Sequence, residues 1–307
     1  MLSCVGDYRS ARRWLEDAVS VAREHKDRKT LALASLHLAL VLAPGNDAQG
    51  EAERARLLDE ALQFFRDIGD DWGTAHALLA AGEIALGQGE RELGRRNLEQ
   101  ALDLWQQVRD AWYTAYTLNA LGDLGRGEGA YDRAFDLYSR SLALLRQQEA
   151  RASVASVLQN LGYVSFHRQQ QPEAARQFGG ALDLFSAQAD YRGIAECLLG
   201  LAVTLSSVGR PSDAARLFGA AEVLLASAGA EQWPTNVEPV RRARANTRTL
   251  LGDTRFAELA AEGRGISLER VLRLARETVD SLSTPPAARA TLLTPREREI
   301  AALLARG

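Results

Sequence analysis

The segment LNALGDLGRGEGAYDRAFDLYSRSLALL (residues 118–145) aligns without a gap with LQNLGYVSFHRQQQPEAARQFGGALDLF (residues 158–185). Small and large apolar residues recur in this alignment at a spacing of 40 positions. The recurring pairs are Leu121/Leu161, Gly122/Gly162, Ala134/Ala174, Tyr138/Phe178 and Ser141/Ala181. The same spacing reaches Gly82, Gly94, Leu98 and Ala101 before the segment, and Ala202, Ala214, Phe218 and Ala221 after it. A fixed period of this length is the signature of stacked repeat units, each of which buries its apolar face against its neighbours.

Each 40-residue unit is predicted to contain two amphipathic helices joined by a short polar turn. One set of small residues recurs on the first helix, and another set recurs on the second helix. Small side chains let two helix backbones approach closely, and a large apolar residue three positions before the second small one fills the adjoining space. No segment sustains an alternation of apolar and polar residues, so the chain is predicted to be all-α.

This pattern resembles the tetratricopeptide repeat, with Leu-Gly in the first helix and two alanines flanking a large apolar residue in the second. The period is longer than the roughly 34 residues of the standard repeat. It is similar to the extended repeats in the sensor region of MalT-like bacterial regulators. The resemblance covers residues 1–228 and implies a right-handed solenoid of about five and a half helix hairpins, followed by C-terminal closing helices.

The composition excludes several classes of protein. The chain has 307 residues, of which 46% are apolar and 25% are charged, values typical of a folded rather than a disordered protein. No apolar run reaches the roughly 18 residues that a membrane span needs, and the first residues do not resemble a secretory signal. Two cysteines and four scattered histidines give neither a disulfide framework nor metal-ligand spacing. A cytoplasmic protein without a membrane partner, a metal or another cofactor is expected.

The sequence contains no recognisable catalytic motif. Lys26 and Lys29 are its only lysines, and neither follows a glycine, so the chain has no P-loop. Gly125, Gly127 and Gly129 mimic a phosphate-binding loop, but they are predicted to lie in a turn between repeat helices. No nucleophile elbow or triad motif orders the serine, histidine and acidic residues. The chain is therefore predicted to be non-enzymatic.

The repeats are predicted to end at residue 228 and to be followed by closing helices over residues 229–281. These helices are expected at about 238–251, 253–263 and 267–281, the last with Ser267 as its N-cap. Residues 241–307 contain 13 arginines and 8 acidic residues, whereas residues 1–240 carry a net charge of −8. A basic tail behind an acidic body indicates either nucleic acid near the C-terminal end or arginines on a solvated helix surface.

A linker at 282–292 precedes LTPREREIAALLARG (residues 293–307), which has the features of a capped helix. Thr294 is the predicted N-cap, Pro295 occupies N1, and Glu297 at N3 completes a capping box. The segment resembles the opening helix of the LuxR-type helix-turn-helix domain. It spans 15 residues of a domain of roughly 65, so the DNA-reading helix would lie beyond Gly307.

The resemblance implies a longer parent protein that contacts DNA only through its complete helix-turn-helix domain. Such regulators also place an ATPase module before the repeats, and this chain contains none. Residues 6–22 (GDYRSARRWLEDAVSVA) match the second half of a repeat, so Met1 is expected to lie inside the parent chain.

The register of the repeat nominates a ligand-binding groove lined by the first helices. The candidates are His76, Glu83, Tyr116, Asn119, Asp123, Arg126, Gln159, Tyr163, Phe166 and Glu196. Aromatic rings interleaved with amides and charges can hold a peptide or a small effector by stacking and directed hydrogen bonds, although an ordinary solvated face remains the alternative. Leu33, Leu36 and Leu40, at equivalent earlier places, suit a partner surface or intramolecular packing.

The predicted function is that of a sensor and protein-interaction region in a LuxR-family regulator, which binds an effector or a partner protein. One alternative is a free-standing tetratricopeptide scaffold or adaptor. Another is the repeat region of a multidomain signalling enzyme. The oligomeric state stays open, with a homo-oligomer among the alternatives.

Overall fold

The computed structural model describes residues 8–42 and 48–283, together with Arg296. Within these ranges the chain forms 14 α-helices and no strand, which confirms the all-α prediction. The helices are α1 (Tyr8–Glu24), α2 (Arg28–Val41), α3 (Ala48–Asp67), α4 (Asp71–Gly87), α5 (Arg91–Gln107), α6 (Ala111–Gly127), α7 (Tyr131–Gln147), α8 (Arg151–His167), α9 (Gln171–Ala187), α10 (Tyr191–Ser207), α11 (Pro211–Ser227), α12 (Pro234–Leu251), α13 (Asp253–Arg264) and α14 (Leu268–Ser283). The chain divides into two compact units, Met1–Leu124 and Gly125–Gly307.

From residue 69 to residue 229, the turns between helices recur every 20 residues, which is half of the sequence repeat. The residue that reverses the chain adopts a positive φ in each of these turns. Glycine occupies the position in Gly69, Gly89, Gly129, Gly209 and Gly229, and another residue occupies it in Arg109, Glu149, Gln169 and Ala189. The connection between two successive helices therefore imposes a positive φ, even on residues whose Cβ atom disfavours it.

Asp70, Asp110 and Asp190 directly precede α4, α6 and α10, which are first helices of the repeat, and cap their N-termini. Each accepts a backbone N–H from the residue three positions later, at 2.9–3.0 Å. These bonds satisfy N–H groups that have no partner within the helix itself.

Unit 1 consists of hairpins whose helices pack in chain order around Leu36, Leu57, Ala61 and Phe65. The predicted close approach of small residues is present at Gly82 in α4. A Cβ atom at this position would lie 2.8 Å from Leu98 Cγ in α5.

Unit 2 repeats this arrangement through α11. In α8, a Cβ atom at Gly162 would lie 2.6 Å from Phe178 Cε1, so the glycine gives the phenylalanine ring its space. The ring of Phe178 is fully buried between α8 and α10.

The closing helices of unit 2 pack back onto its repeats. α12 packs on α10 and α11, α13 on α11, and α14 on α9. The backbones of α11 and α13 approach so closely that a Cβ atom at Gly219 would lie 2.0 Å from the carbonyl oxygen of Ala260. α12 begins at Pro234, four residues earlier than predicted, because a proline at the start of a helix loses no helical hydrogen bond.

Candidate binding surfaces

The ten candidate residues lie on the first helices of the hairpins. Their exposure to solvent differs between the two units. Unit 1 holds His76 and Glu83 in α4, and Tyr116, Asn119 and Asp123 in α6. Unit 2 holds Arg126 at the end of α6, Gln159, Tyr163 and Phe166 in α8, and Glu196 in α10. Several side chains of the first set reach solvent, whereas most of the second set are enclosed.

Unit 1 carries aromatic and acidic side chains that are accessible to solvent. Trp72 and Tyr116 are 38% and 40% exposed. The rings of Trp112 and Tyr116 stack with their centroids 5.6 Å apart and an interplanar angle of 17°. The carboxylates of Glu83 and Asp123 lie beside them. We call these five residues the aromatic surface.

A hydrogen bond between α6 and α4 orders this surface. The Tyr116 hydroxyl donates to Glu83 Oε1 at 2.6 Å, and Asn119 Nδ2 donates to Asp123 Oδ2 at 3.2 Å. Burial raises the pKa of the Glu83 carboxyl. Burial and the neighbouring Glu83 charge also raise the pKa of Tyr116 above its ordinary value, so its hydroxyl is a donor at neutral pH. The Tyr116 ring face stays available to a partner.

His76 lies beneath the aromatic surface. Its side chain is 8% exposed, and its ring centroid is 5.1 Å from those of both Trp72 and Tyr113. Burial, with a smaller contribution from His37, lowers the pKa of His76 to about 4, so the imidazole is neutral at pH 7. The expectation that His76 faces an open groove is wrong, because Trp72 and Tyr113 pack around its ring.

In unit 2, α12 lies over the candidate residues and supplies their hydrogen-bond partner. Asn236 is fully buried and donates from Nδ2 to Glu196 Oε2 at 2.9 Å. Its Oδ1 accepts a hydrogen bond from Arg126 Nη1 at 3.0 Å. The backbone N–H of Trp233 donates to the second carboxylate oxygen of Glu196. Burial raises the pKa of Glu196, and these two bonds oppose the shift.

The remaining unit 2 candidates are also enclosed. Gln159 is 0% exposed and Tyr163 is 1% exposed, while Phe166 is partly buried. The Tyr163 ring meets Phe178 edge-on, with centroids 5.1 Å apart, and the Arg126 guanidinium lies 5.5 Å from its centroid. The expectation of an open groove is therefore wrong for Arg126, Gln159, Tyr163 and Glu196, because α12 and neighbouring helices enclose them.

A cavity of about 260 Å³ remains beside α12 in unit 2. Its lining includes Arg126, Tyr131, Tyr163, His167, Glu238 and Arg242. The rings of Tyr131 and His167 stack with centroids 4.4 Å apart and an interplanar angle of 5°. We call this space the α12 cavity.

Most arginines of the closing helices form ion pairs. Arg244 and Arg264 both bind Glu222, and Arg276 pairs with Asp183 at 3.1 Å. Acidic groups of the repeats and of the closing helices themselves thus compensate much of the positive charge of this segment. For residues 241–283, this pairing favours the solvated helix surface over a nucleic-acid contact.

Several other expectations concern positions away from these surfaces. Thr294, Pro295 and Glu297 lie outside the described residues, so the capped helix stays a prediction. Gly125 and Gly127 lie in the last turn of α6, so the prediction that they belong to the turn is wrong, whereas Gly129, with a φ of +76°, lies in the turn as predicted. Leu36 is fully buried in the unit 1 core, as intramolecular packing requires.

Two further kinds of feature, metal clusters and membrane-spanning helices, are absent from the described ranges. No cluster of three or more His, Cys, Asp or Glu side chains there has the arrangement of a metal site. No helix in the same ranges combines the length and apolarity that crossing a membrane would require.

The sequence interpretation missed Trp72, Trp112 and Asn236, although each obeys the 40-residue spacing. Trp72 and Trp112 are 40 residues apart and lie one helical turn before His76 and Tyr116. Asn236 follows Glu196 by 40 residues. Starting the register one turn earlier and continuing it beyond residue 228 would have found all three.

Comparisons with known proteins agree with this fold. A family model described as Tetratricopeptide repeat matches residues 73–147, and no curated protein matches the sequence. The crystal structure of BtubC (BKLC) from P. vanneervenii is 18% identical, covers 74% of this chain and 92% of its own, and superposes with a TM-score of 0.62. A circular tandem repeat protein with novel repeat topology is 13% identical, covers 90% of this chain and 75% of its own, and has a TM-score of 0.25.

The first structural match shows a shared helical-repeat fold, and the second superposes too poorly to support an argument. The family match places tetratricopeptide repeats in residues 73–147, which contain most of the aromatic surface. Tetratricopeptide repeats generally act as non-catalytic scaffolds for protein interactions. The chain is thus similar to tetratricopeptide-repeat scaffolds in its fold and in the sequence of two hairpins.

Proposed function

We propose that this chain is the non-catalytic sensor and protein-interaction region of a bacterial, cytoplasmic LuxR-type transcriptional regulator. The aromatic surface carries the interaction part of the proposal, because it offers large rings and carboxylates to solvent in the region that matches the tetratricopeptide repeat. The resemblance of residues 293–307 to the opening of a LuxR-type domain supports the regulator part. DNA would be bound only by the complete parent protein.

The chemistry of the aromatic surface favours a peptide partner with basic and apolar side chains. Trp72, Trp112 and Tyr116 provide flat apolar area, and exposed aromatic residues contribute much of the binding energy in protein interfaces. Glu83 and Asp123 place two acidic groups beside these rings. A lysine or arginine side chain would gain both ion pairing and cation–π attraction there.

The packing of α14 suggests how a signal would reach the predicted DNA-binding segment. α14 lies on α9, where Val279 contacts Gly179 and Arg276 pairs with Asp183. The predicted linker, 282–292, overlaps the last two residues of this helix. A partner that moves the repeat helices would thereby change the position or the oligomeric assembly of the predicted DNA-binding segment.

Peptide binding by the purified chain tests the interaction part. An array of basic, acidic and neutral 12-residue peptides is probed with the wild-type chain and with the Tyr116→Ala variant. We expect preferential capture of basic peptides and a loss of roughly tenfold in affinity for the variant, because the stacked ring is removed. Trp14→Ala is the matched control, since Trp14 is 73% exposed and lies outside the aromatic surface. Equal losses in both variants would exclude this surface.

The regulator part is tested on the coding frame and on DNA. We expect the frame after Gly307 to encode the remaining helices of a helix-turn-helix domain. A stop codon there with a start at Met1 would favour the free-standing scaffold, and an upstream kinase or cyclase domain would favour the signalling enzyme. In a gel-shift at about 150 mM salt, we expect this chain alone to form no sequence-selective complex.

A further inference from the structure

The α12 cavity faces two positively charged side chains. Arg126 is 8% exposed, whereas Arg242 is an exposed residue of the lining whose charge also acts on the Glu238 carboxylate. Burial lowers the pKa of His167, and the two guanidinium charges lower it further, so its imidazole is neutral at pH 7. The carboxylate of Glu238, also in the lining, accepts two hydrogen bonds of 2.8 Å from Arg241. The cavity therefore carries an excess of positive charge.

A buried hydroxyl in the same lining lacks a partner. Tyr163 is 1% exposed, and its Oη forms no hydrogen bond within the described part of the chain. Buried polar groups are nearly always hydrogen-bonded, and an unmet donor is costly in free energy. Burial and the nearby Glu196 carboxylate raise the pKa of Tyr163, so the phenol is present as a hydrogen-bond donor. A ligand oxygen that accepts this hydrogen bond would remove the cost.

The shape of the cavity limits the ligand. Its volume of about 260 Å³ lies just below the range of roughly 300–1,000 Å³ that drug-sized ligands occupy. The stacked rings of Tyr131 and His167 give it a flat wall. Guanidinium groups present paired N–H donors that match the two oxygens of a carboxylate.

We propose that the α12 cavity binds a small planar organic carboxylate through Arg126, Arg242 and the Tyr163 hydroxyl. The carboxylate lies between the two guanidinium groups and accepts the tyrosine hydrogen bond, while the ring of the ligand lies near Tyr131 and His167. This inference goes beyond the proposed function, because it concerns a small ligand of unit 2. It does not depend on a protein partner or on the regulator identity.

Ligand-observed NMR titrations of the whole 307-residue chain test the site, with sodium benzoate as the probe and benzamide as its neutral counterpart. We expect saturable benzoate binding and at least tenfold weaker benzamide binding, because benzamide lacks the charge. Arg242→Gln is expected to weaken benzoate binding by roughly tenfold or more. Tyr163→Phe keeps the ring, and its expected loss of roughly fivefold reports on the hydroxyl alone.

Arg255→Gln provides the matched control, because Arg255 is exposed, pairs with Glu258 on α13 and is absent from the cavity lining. It should bind benzoate like the wild type, and circular dichroism should show that all variants keep their helices. Absence of saturable benzoate binding would overturn the proposal. Equal binding of benzamide, or equal loss in Arg255→Gln and Arg242→Gln, would overturn it as well.

Discussion

Asn236 donates its side-chain amide to the Glu196 carboxylate at 2.9 Å, and both side chains are fully buried. The same amide accepts a hydrogen bond from Arg126, so one neutral residue lies between an acidic and a basic group. Asn236 therefore links α12 to the repeat helices. Without its amide, the buried Glu196 and Arg126 side chains would each lack this hydrogen bond. The closing helix is therefore held on unit 2 by polar contacts as well as by apolar packing.

Asn236→Ala is expected to lower the free energy of unfolding of the chain by about 2–3 kcal/mol, because two buried charged groups each lose a hydrogen bond. Urea unfolding followed by circular dichroism measures this change. Asn246→Ala is the matched control, since Asn246 is exposed and its amide donates only to Ser206 at 3.1 Å. A loss for Asn236→Ala no larger than that of the control would contradict the structural role of Asn236.

The repeat hairpins could be predicted from sequence because their determinants are local. Gly82 with Leu98, and Gly162 with Phe178, recur at fixed spacing and meet in neighbouring helices, as the pattern predicts. Where two helix backbones approach closely, only small residues fit between them. The recurring small residues are therefore visible in a single sequence.

The enclosure of the unit 2 candidates could not be predicted in the same way. Arg126 and Asn236 are 110 residues apart, and the path of α12 over the repeats is not encoded in a local period. Helix periodicity reports which side chains share a face, but it does not report which later segment covers that face. The period therefore places Glu196 in the groove, because it does not show that α12 covers this residue.

Gly162→Ala is expected to destabilise the chain by about 1–2 kcal/mol. The new Cβ atom would lie 2.6 Å from Phe178 Cε1, and the cost of overpacking exceeds the gain of about 1 kcal/mol from replacing a helical glycine. Gly180→Ala is the control, because the nearest side-chain atom there is at an ordinary 3.5 Å. This control should be neutral or slightly stabilising in thermal unfolding. Equal destabilisation by both substitutions would show that the Phe178 contact is not the cause.

Ala189→Gly is expected to stabilise the chain by about 0.5–1 kcal/mol. Ala189 has a φ of +52°, where a Cβ atom costs about 1–2 kcal/mol, and the greater freedom of glycine in the unfolded chain offsets only part of this gain. The reverse substitution, Gly209→Ala at a φ of +75°, should destabilise by a similar amount, since no other atom is near its Cβ position. Denaturant midpoints measure both changes. Shifts of the same sign would contradict a backbone origin.

His76→Phe is expected to reduce the loss of stability on acidification. The ordinary histidine pKa is 6.5, and burial lowers that of His76 to about 4 in the folded chain. Between these values the unfolded chain binds a proton that the folded chain does not, so the free energy of unfolding falls as the pH falls from 6.5 to about 4. From pH 7 to pH 5 this linkage removes about 2 kcal/mol.

Phenylalanine retains an aromatic ring between Trp72 and Tyr113 but binds no proton, so the variant should lose about 2 kcal/mol less than the wild type over this interval. Urea unfolding at pH 7 and pH 5 measures the difference. His37, which faces His76 and whose pKa is also lowered by burial, is present in both proteins, as is Glu83 on α4. Their contributions therefore cancel in the comparison. Equal losses in the two proteins would mean that His76 is accessible to protons in the folded state, which its enclosure by Trp72 and Tyr113 rules against.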